Sequence, residues 1–364
     1  MSAGRFKAID RLRRRGRFDA ALAKLVAGLD DSASDQVETD DDIEDDIEDD
    51  RLRLIFTCCH PAVTPDARVA MTLREVCGLT TEEIATAFLT SPPTVAQRIV
   101  RAKSRIRDLQ IPYEIPGKED LPERIDAVLQ VVYLVYNEGY SASSGDSLMR
   151  TDLADEAIRL GRLLVELLPD SEATGLLALM LLNNSRRDAR TTGSGELILL
   201  SAQDRTLWDQ EAIAEATALI EQGVGSGSAG YFLLQAAIAS VHAQAHTAEQ
   251  TDWARIVSLY DLLLRASPSP VVELNRAVAV AMIDGPEAGL ALIDSILERN
   301  DLEGYYLAHS ARADLLRRLG EKSQAAAAYE IALSLVRQEP ERRFLVARLR
   351  EVADGNGPRD ILRR

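Results

Sequence analysis

Three closely spaced helix starts between residues 64 and 107 constrain the fold of this chain more than any other feature. The residues that mark the starts by capping or by a first-turn proline are Thr64 with Pro65, Thr80 with Glu83, and Ser91 with Pro92 and Pro93. Such prolines are tolerated because the first backbone N–H groups of a helix have no intrahelical partner. Gly78 is expected to end the first helix, and residues 89–91 allow only a short turn before the third. The pattern predicts a helix-turn-helix.

The composition extends the helical prediction to the rest of the chain. Aromatic residues make up only 5% of the 364 residues, Ala and Leu are abundant, and long segments lack the alternation typical of strands. A hydrophobic share of 46% is enough to give each of two or three domains a core. We therefore predict an all-α fold.

No segment predicts membrane insertion or secretion. The longest apolar runs, such as GLLALMLL ending at Leu182, are too short to cross a bilayer, and no apolar stretch follows the basic N-terminus. The three cysteines, Cys58, Cys59 and Cys77, make no disulfide framework and suit a reducing compartment. These features indicate a cytoplasmic protein.

Internal similarity near the C-terminus predicts helical repeats. A pattern of two small residues, one large residue and one small or apolar residue occurs at Ala313, Ala325, Tyr329 and Ala332, and more loosely at Ala277, Gly289, Ile293 and Ile296. The two sets lie 36 residues apart, close to the tetratricopeptide period of about 34. Small residues would let the two helices of a hairpin approach closely. We predict a tetratricopeptide-like solenoid, with an irregular helical bundle as the alternative.

The third helix of the helix-turn-helix region is basic, although the formal net charge of the chain is −16. On a helical wheel, the apolar residues that share one narrow arc, and are expected to be buried, are Val95, Ile99, Ala102 and Ile106. Gln97, Val100 and Arg101 lie on the opposite face. Gln97 and Arg101 would address base edges in a major groove, since Gln suits adenine and Arg suits guanine.

The flanks of this helix carry further polar and basic side chains. The residues placed to meet phosphates are Thr94, Arg98, Lys103, Arg105 and Arg107. An isolated basic helix more often only exposes its charges to solvent. Here the capped helices, the tight turn and a basic third helix without acidic residues in its first turns occur together, and together they predict DNA binding. Acidity elsewhere in the chain would limit indiscriminate binding to DNA.

Residues 51–108, RLRLIFTCCHPAVTPDARVAMTLREVCGLTTEEIATAFLTSPPTVAQRIVRAKSRIRD, resemble the fourth domain of bacterial sigma factors of the extracytoplasmic-function type. The segment LPERIDAVLQVVYLVYNEGYSASSG and the C-terminal repeats resemble the subgroup with a long tetratricopeptide-like extension. The resemblance implies docking on core RNA polymerase and recognition of the promoter −35 element. It assigns base contacts to the positions of Ala96, Gln97, Val100 and Arg101.

One part of that family's pattern is not matched. Its members need an N-terminal sigma domain that binds the polymerase clamp and melts the −10 element, and RFKAIDRLRRRGRF resembles only the last helix of that domain. We interpret the start as truncated; the alternative is a protein that cannot melt promoters alone. The acidic block DDDIEDDIEDD repels itself and is expected to be an extended linker, which in the family threads the polymerase cleft.

The predicted organisation therefore has six segments. They are a remnant of sigma domain 2 (1–18), an acidic linker (19–50), a sigma domain 4-like helix-turn-helix (51–110), a second linker (111–125), a helical domain (126–200) and tetratricopeptide-like repeats (201–352).

Two other groups of residues are candidate sites. Cys58, Cys59 and His60 offer soft ligands, but adjacent residues chelate one metal poorly, so we predict ordinary packing and no metal. The stretch YNEGYSASSG supplies a candidate regulatory pocket; the alternative is a helix end and turn with tyrosine anchors. The residues assigned to that pocket are Tyr136, Asn137, Glu138 and Tyr140.

The sequence predicts a promoter-specificity subunit and not an enzyme. No nucleophile–base pair or phosphate loop is evident, and no cofactor is expected. The expected partners are core RNA polymerase and −35 promoter DNA, with a regulatory contact made by the C-terminal repeats. The alternative is a helical-repeat scaffold or ligand-responsive DNA-binding regulator that cannot initiate transcription.

Overall fold

The regular structure of the protein is helical wherever the computed structural model describes it, which is at residues 47, 49–111, 116–225 and 229–354. Within these residues there are α-helices, short 3-10 turns and two isolated β-bridges, but no strand. The all-α prediction is confirmed. Residues 1–18 and nearly all of the acidic linker lie outside the described residues. The chain divides into two compact units between Val135 and Tyr136.

The first unit contains the predicted helix-turn-helix. Its helices are α1 (Asp50–Cys58), α2 (Pro65–Glu75), α3 (Thr81–Ala87) and α4 (Pro92–Asp108). Thr80 and Glu83 form both hydrogen bonds of a capping box, at 2.7 and 3.2 Å, as the sequence predicts. Thr64 occupies the N-cap position of α2 but makes no capping bond with its side chain.

The turn between α3 and α4 is set by backbone geometry. Leu89 adopts a positive φ of 48°, a conformation that costs a side-chain-bearing residue roughly 1–2 kcal/mol. The amide of Thr90 bonds to the carbonyl of Ala85 at 2.9 Å and closes the last turn of α3. This tight reversal fixes the direction in which α4 leaves α3.

The apolar stripe of α4 packs into the core of the first unit. Val95, Ile99, Ala102 and Ile106 are all buried, as the wheel predicts. Ala102 and Ile106 belong to one core cluster with Cys58, Val63, Ala67 and Met71. Full burial of an Ile or Val side chain stabilises a fold by about 1.5–3 kcal/mol, so this contact holds α4 firmly on its neighbours.

The helix α5 (Leu121–Tyr140) contains the division between the units. The helices that follow in the second unit are α6 (Thr151–Leu167), α7 (Ser171–Asn184), α8 (Gln210–Gly225), α9 (Tyr231–Gln244), α10 (Trp253–Ala266), α11 (Pro270–Ile283), α12 (Pro286–Glu298), α13 (Tyr306–Leu319), α14 (Lys322–Leu335) and α15 (Glu339–Ala353). From α9 onward each helix packs on the next one along the chain. This nearest-neighbour arrangement is that of a helical solenoid.

The two residue sets predicted to repeat lie in successive cores of this array. Ala313, Ala325, Tyr329 and Ala332 belong to one buried cluster, while Ala277, Ile293 and Ile296 belong to the preceding one. A Cβ atom added to Gly289 would lie 2.5 Å from the Cβ of Ala281, so α11 and α12 pack too closely for any side chain there. The assignment to tetratricopeptide-like repeats stays a prediction.

The end of the array contacts its beginning within the second unit. The Gln338 side chain, just before α15, donates to the carbonyl of Ala142 at 2.6 Å, and the amide of Glu339 donates to that of Gly145 at 3.0 Å. The helices between these two points are therefore held at both ends. None of the helices in the described residues is both long enough and apolar enough to cross a bilayer.

Candidate nucleic-acid interface

The predicted base-reading residues lie together on one exposed side of α4. Ala96, Gln97 and Arg101 are exposed, and Val100 keeps 62% of its surface in solvent. Gln97, Val100 and Arg101 lie opposite the stripe that α4 buries, and Ala96 lies beside them, because these positions are out of phase with the stripe on a helix of 3.6 residues per turn. An amide, a guanidinium and an exposed aliphatic group are the side chains that contact base edges and the thymine methyl group in a major groove.

Local interactions shape the N-terminal end of α4. Ser91 accepts a hydrogen bond from the amide of Thr94 at 3.4 Å, and the two hydroxyl oxygens lie 2.8 Å apart. The first turn contains no acidic residue, so no carboxylate there offsets the partial positive charge of the helix end. Thr94, predicted as a phosphate contact, is half-buried and serves this cap.

Two of the predicted phosphate contacts are held in ion pairs with α2. Nη1 of Arg98 lies 3.3 Å from Oδ2 of Asp66, and Nζ of Lys103 lies 3.0 Å from Oε1 of Glu75. The guanidinium of Arg98 also lies over the ring of Phe88, 5.7 Å from its centroid. These contacts hold the side chains close to the first unit, and a phosphate would have to compete with both carboxylates.

Arg105 and Arg107 lie at the other end of α4. Both are exposed, and no carboxylate in the described part of the chain forms an ion pair with either. They also lie in the last turn of α4, where a cation interacts favourably with the helix dipole. The five candidates therefore differ. Thr94 caps the helix, Arg98 and Lys103 are ion-paired, and Arg105 and Arg107 extend into solvent.

The cysteine pair beside this interface is part of the hydrophobic core. Cys58 and Cys59 are both buried, and burial raises the pKa of the Cys59 thiol to about 12 and that of Cys58 still further. Both thiols are therefore protonated at neutral pH, whereas a metal ligand is a thiolate. His60 accepts a hydrogen bond at Nδ1 from the amide of Ala62. Among the described residues, no three His, Cys, Asp or Glu side chains lie together as metal ligands would.

The stretch predicted to line a regulatory pocket is largely occupied by protein contacts. Tyr136 is buried, and its hydroxyl donates to the carbonyl of Met180 at 3.0 Å. Glu138 is also buried, accepts a bond from the amide of Ser143 at 3.1 Å and lies 3.8 Å from Nη1 of Arg150. Asn137 is half-buried, and its carbonyl accepts a bond from the amide of Ser141.

Tyr140 is enclosed by two arginines that sequence reasoning missed. The guanidinium of Arg190 lies 3.5 Å from the centre of the Tyr140 ring and also donates to the Tyr140 carbonyl. Arg186 donates to the Tyr140 hydroxyl at 2.8 Å. The ring of Tyr136 stacks on that of Tyr140 with centroids 5.8 Å apart. No local signal marks Arg186 or Arg190, because they lie 46 and 50 residues further along the chain.

Comparison with known protein families identifies the class of the first unit. Residues 53–106 match the family model described as sigma-70, region 4. Residues 124–224 match a second model, described as a family of unknown function, DUF6596. The region 4 match includes all of α2, α3 and most of α4, with every predicted base-reading residue. The protein is therefore sigma-factor-like. Its region 4 domain suggests a role in DNA binding or promoter recognition, and it implies interaction with RNA polymerase and promoter DNA.

A relative in Rhizobium meliloti (strain 1021) matches nearly the whole chain. It is described as uncharacterized protein R00370, and it is 44% identical over 352 residues, which are 96% of this chain and 82% of the relative. The chain belongs to the same family as that protein. No solved structure matches the chain.

Proposed function

We propose that this protein is a sigma factor of the extracytoplasmic-function type that directs RNA polymerase to promoters through α4. The observation that carries the proposal is the exposure of Gln97, Val100 and Arg101 on a capped helix whose opposite stripe is buried. The sigma-70 region 4 match over the same residues supports it. The proposed partners are the core polymerase and the −35 element.

In the proposed complex the N-terminal half of α4 enters the major groove. Arg101 would donate two hydrogen bonds to a guanine, and Gln97 would pair with an adenine. Val100 and Ala96 would contact apolar groups at the base edges. Arg105 and Arg107 would meet phosphates directly, while Arg98 and Lys103 would do so after exchanging Asp66 and Glu75 for the DNA backbone.

We propose that the C-terminal helical extension regulates promoter binding or polymerase docking. In this proposal residues 51–110 form the DNA-reading domain, residues 126–200 a helical domain and residues 201–352 tetratricopeptide-like repeats. The candidate pocket of Tyr136, Asn137, Glu138 and Tyr140 would act as an organising cluster, since three of its side chains already bond to protein groups. Regulation would then involve changes in that packing.

Transcription in vitro tests the proposal. The full chain would be mixed with core polymerase and fragmented genomic DNA, and the fragments retained would be sequenced and used as run-off templates. We expect the retained fragments to share one −35-like sequence and to lose that enrichment with Arg101→Ala. The control is Arg187→Ala, which also removes one arginine but lies on the second unit, paired with Asp155 at 3.2 Å.

The run-off step separates the two candidate functions. A second preparation carrying a sigma domain 2 ahead of residue 1 would be compared with the chain itself. Defined transcripts from either preparation support a sigma factor. Retained promoter fragments without transcripts from either preparation would favour the alternative, a DNA-binding regulator that does not initiate transcription. Failure to retain any shared sequence would contradict promoter recognition altogether.

A further inference from the structure

A cavity in the second unit shares one residue, Arg186, with the cluster around Tyr140 and is otherwise lined by residues not assigned above. Its volume is about 220 Å³, and it lies between α7, α9 and α10 and the segment that joins α7 to α8. The cavity is partly open to solvent and has room for a small organic molecule.

The charge around this cavity is positive and is not balanced by acids. Arg186 lines the cavity, and no Asp or Glu does so among the described residues. The Nη2 atom of Arg186 donates to the Tyr140 hydroxyl at 2.8 Å and to the Asn183 amide oxygen at 2.9 Å, both of which are neutral. No carboxylate of the described residues lies within ion-pair distance of Arg186. A half-buried guanidinium with neutral partners retains its attraction for an anion.

A second arginine, Arg205, lies near the cavity, and the charge of Glu249 partly offsets it. Arg205 donates from Nη1 to the carbonyls of His242 and Ala245 at 2.6 and 2.7 Å, so it is directed at the C-terminal end of α9. Burial and the charges of Arg186 and Arg205 together lower the pKa of His242 to about 4. His242 lines the cavity and is therefore neutral at pH 7, when it can still donate one hydrogen bond.

The cavity wall combines aliphatic and polar side chains. The aliphatic ones are Leu179, Leu182, Leu200 and Ile238, and the polar ones besides Arg186 and His242 are Asn183, Gln235 and Tyr260. Trp208 also lines the cavity, but its indole Nε1 atom is itself buried.

We propose that this cavity binds a small monocarboxylate with an aromatic or branched hydrocarbon body, whose carboxylate pairs with Arg186 while its body contacts the aliphatic wall. A guanidinium matches a carboxylate with two parallel hydrogen bonds, and pockets of this kind combine apolar walls with few polar groups. Among the described residues that line the cavity, Arg186 is the one permanent cation, so a second carboxylate would lack a cationic partner. The inference does not depend on promoter recognition by α4.

Benzoate and isocaproate are suitable probes, and the binding assay requires no DNA or polymerase. Each would be titrated into the full chain by saturation-transfer NMR and by calorimetry, with benzamide as the uncharged analogue of benzoate. We expect saturable binding of at least one acid in the millimolar range, and at least about tenfold weaker binding of benzamide, since a charge-assisted hydrogen bond is lost. Arg186→Gln should weaken binding of the acid by a similar factor, while Arg187→Gln, at the neighbouring position, should leave binding of the acid unchanged.

A cavity-filling variant provides a second test in case Arg186→Gln does not fold. Ala239→Phe keeps every charge and fills space in the cavity, so it should abolish binding while the far-ultraviolet circular dichroism stays that of the parent. The proposal is overturned if neither acid binds saturably, if benzamide binds as well as benzoate, or if both acids still bind to folded Ala239→Phe. Transcription by the same variants is a separate measurement, so failure of one proposal is distinguishable from failure of the other.

Discussion

Arg98 of α4 and Asp66 of α2 form an ion pair within the first unit, with 3.3 Å between Nη1 and Oδ2. Lys103 and Glu75 form a second such pair one turn and a half further along α4. The acids of α2 thus partly neutralise both flanks of α4, which we propose to contact phosphates. Because exposed pairs are worth only about 0–1 kcal/mol, DNA phosphates can replace these carboxylates at low cost.

Asp66→Asn should therefore strengthen binding to any duplex. The variant frees Arg98 and removes a negative charge that would lie close to the DNA backbone. We expect roughly threefold higher affinity for scrambled DNA at low salt. We also expect the salt slope, which is the slope of the logarithm of the binding constant against the logarithm of the salt concentration, to be steeper by up to about 1. Fluorescence anisotropy over a series of salt concentrations measures both. Glu330→Gln, an exposed residue of α14 with the same change of charge, is the control. Equal gains in the two variants would show that net charge alone is responsible.

Arg101→Ala and Arg105→Ala should behave differently because the two side chains are proposed to contact different parts of DNA. Arg101→Ala is expected to cost about 1–3 kcal/mol at the cognate −35 sequence and little on scrambled DNA. Arg105→Ala should weaken both duplexes similarly and lower the salt slope by about 1. Competition binding with the two duplexes makes the comparison. If both variants lose the same affinity on both duplexes, Arg101 does not read bases.

Gly289→Ala should destabilise the second unit. The added Cβ would lie 2.5 Å from the Cβ of Ala281 and 2.9 Å from the carbonyl oxygen of Ala277, and backbone cannot give way as a flexible side chain can. We expect a loss of about 1–3 kcal/mol in the free energy of unfolding. Urea unfolding followed by tryptophan fluorescence reports on this unit, since Trp208 and Trp253 both belong to it. Gly304→Ala, with no neighbour within 4 Å, should be close to neutral.

The stability of the second unit should fall in acid because of His242. Its pKa is lowered from the ordinary 6.5 to about 4 in the folded protein, chiefly by burial and then by Arg186 and Arg205. Between these values the unfolded chain binds more protons, so the free energy of unfolding decreases as pH falls, by up to about 3 kcal/mol in total. His242→Gln should flatten this dependence between pH 6.5 and pH 4. His246→Gln, at an exposed position nearby, should leave it unchanged.

The helix-turn-helix could be predicted closely from the sequence because its signals are local. The capping box of Thr80 and Glu83 joins residues three apart, and the prolines act within their own first turn. The stripe of Val95, Ile99, Ala102 and Ile106 depends only on helical periodicity and on the preference of aliphatic groups for burial. The exposed face of α4 follows directly from that stripe.

The flanks of α4 and the segment after α5 could not be predicted in the same way. The pairing of Arg98 with Asp66 requires α2 and α4 to cross at a particular angle, which no spacing in the sequence encodes. The wheel places Arg98 and Arg105 on the same side, yet only Arg98 has an acid from α2 within reach. The sequence offered Tyr140 as a pocket residue, and its actual neighbours are two arginines from beyond α7.

The three helix starts of the helix-turn-helix, the buried stripe of α4 and the exposed face opposite it could be read from the sequence, because each depends on groups within a few positions of one another. Tertiary structure alone decided which cations are paired, that Gln338 reaches a carbonyl 196 residues earlier, and that Arg186 lines a cavity without an acid. Those outcomes depend on how packed helices cross, and packing is a property of the assembled core that distant segments fix jointly.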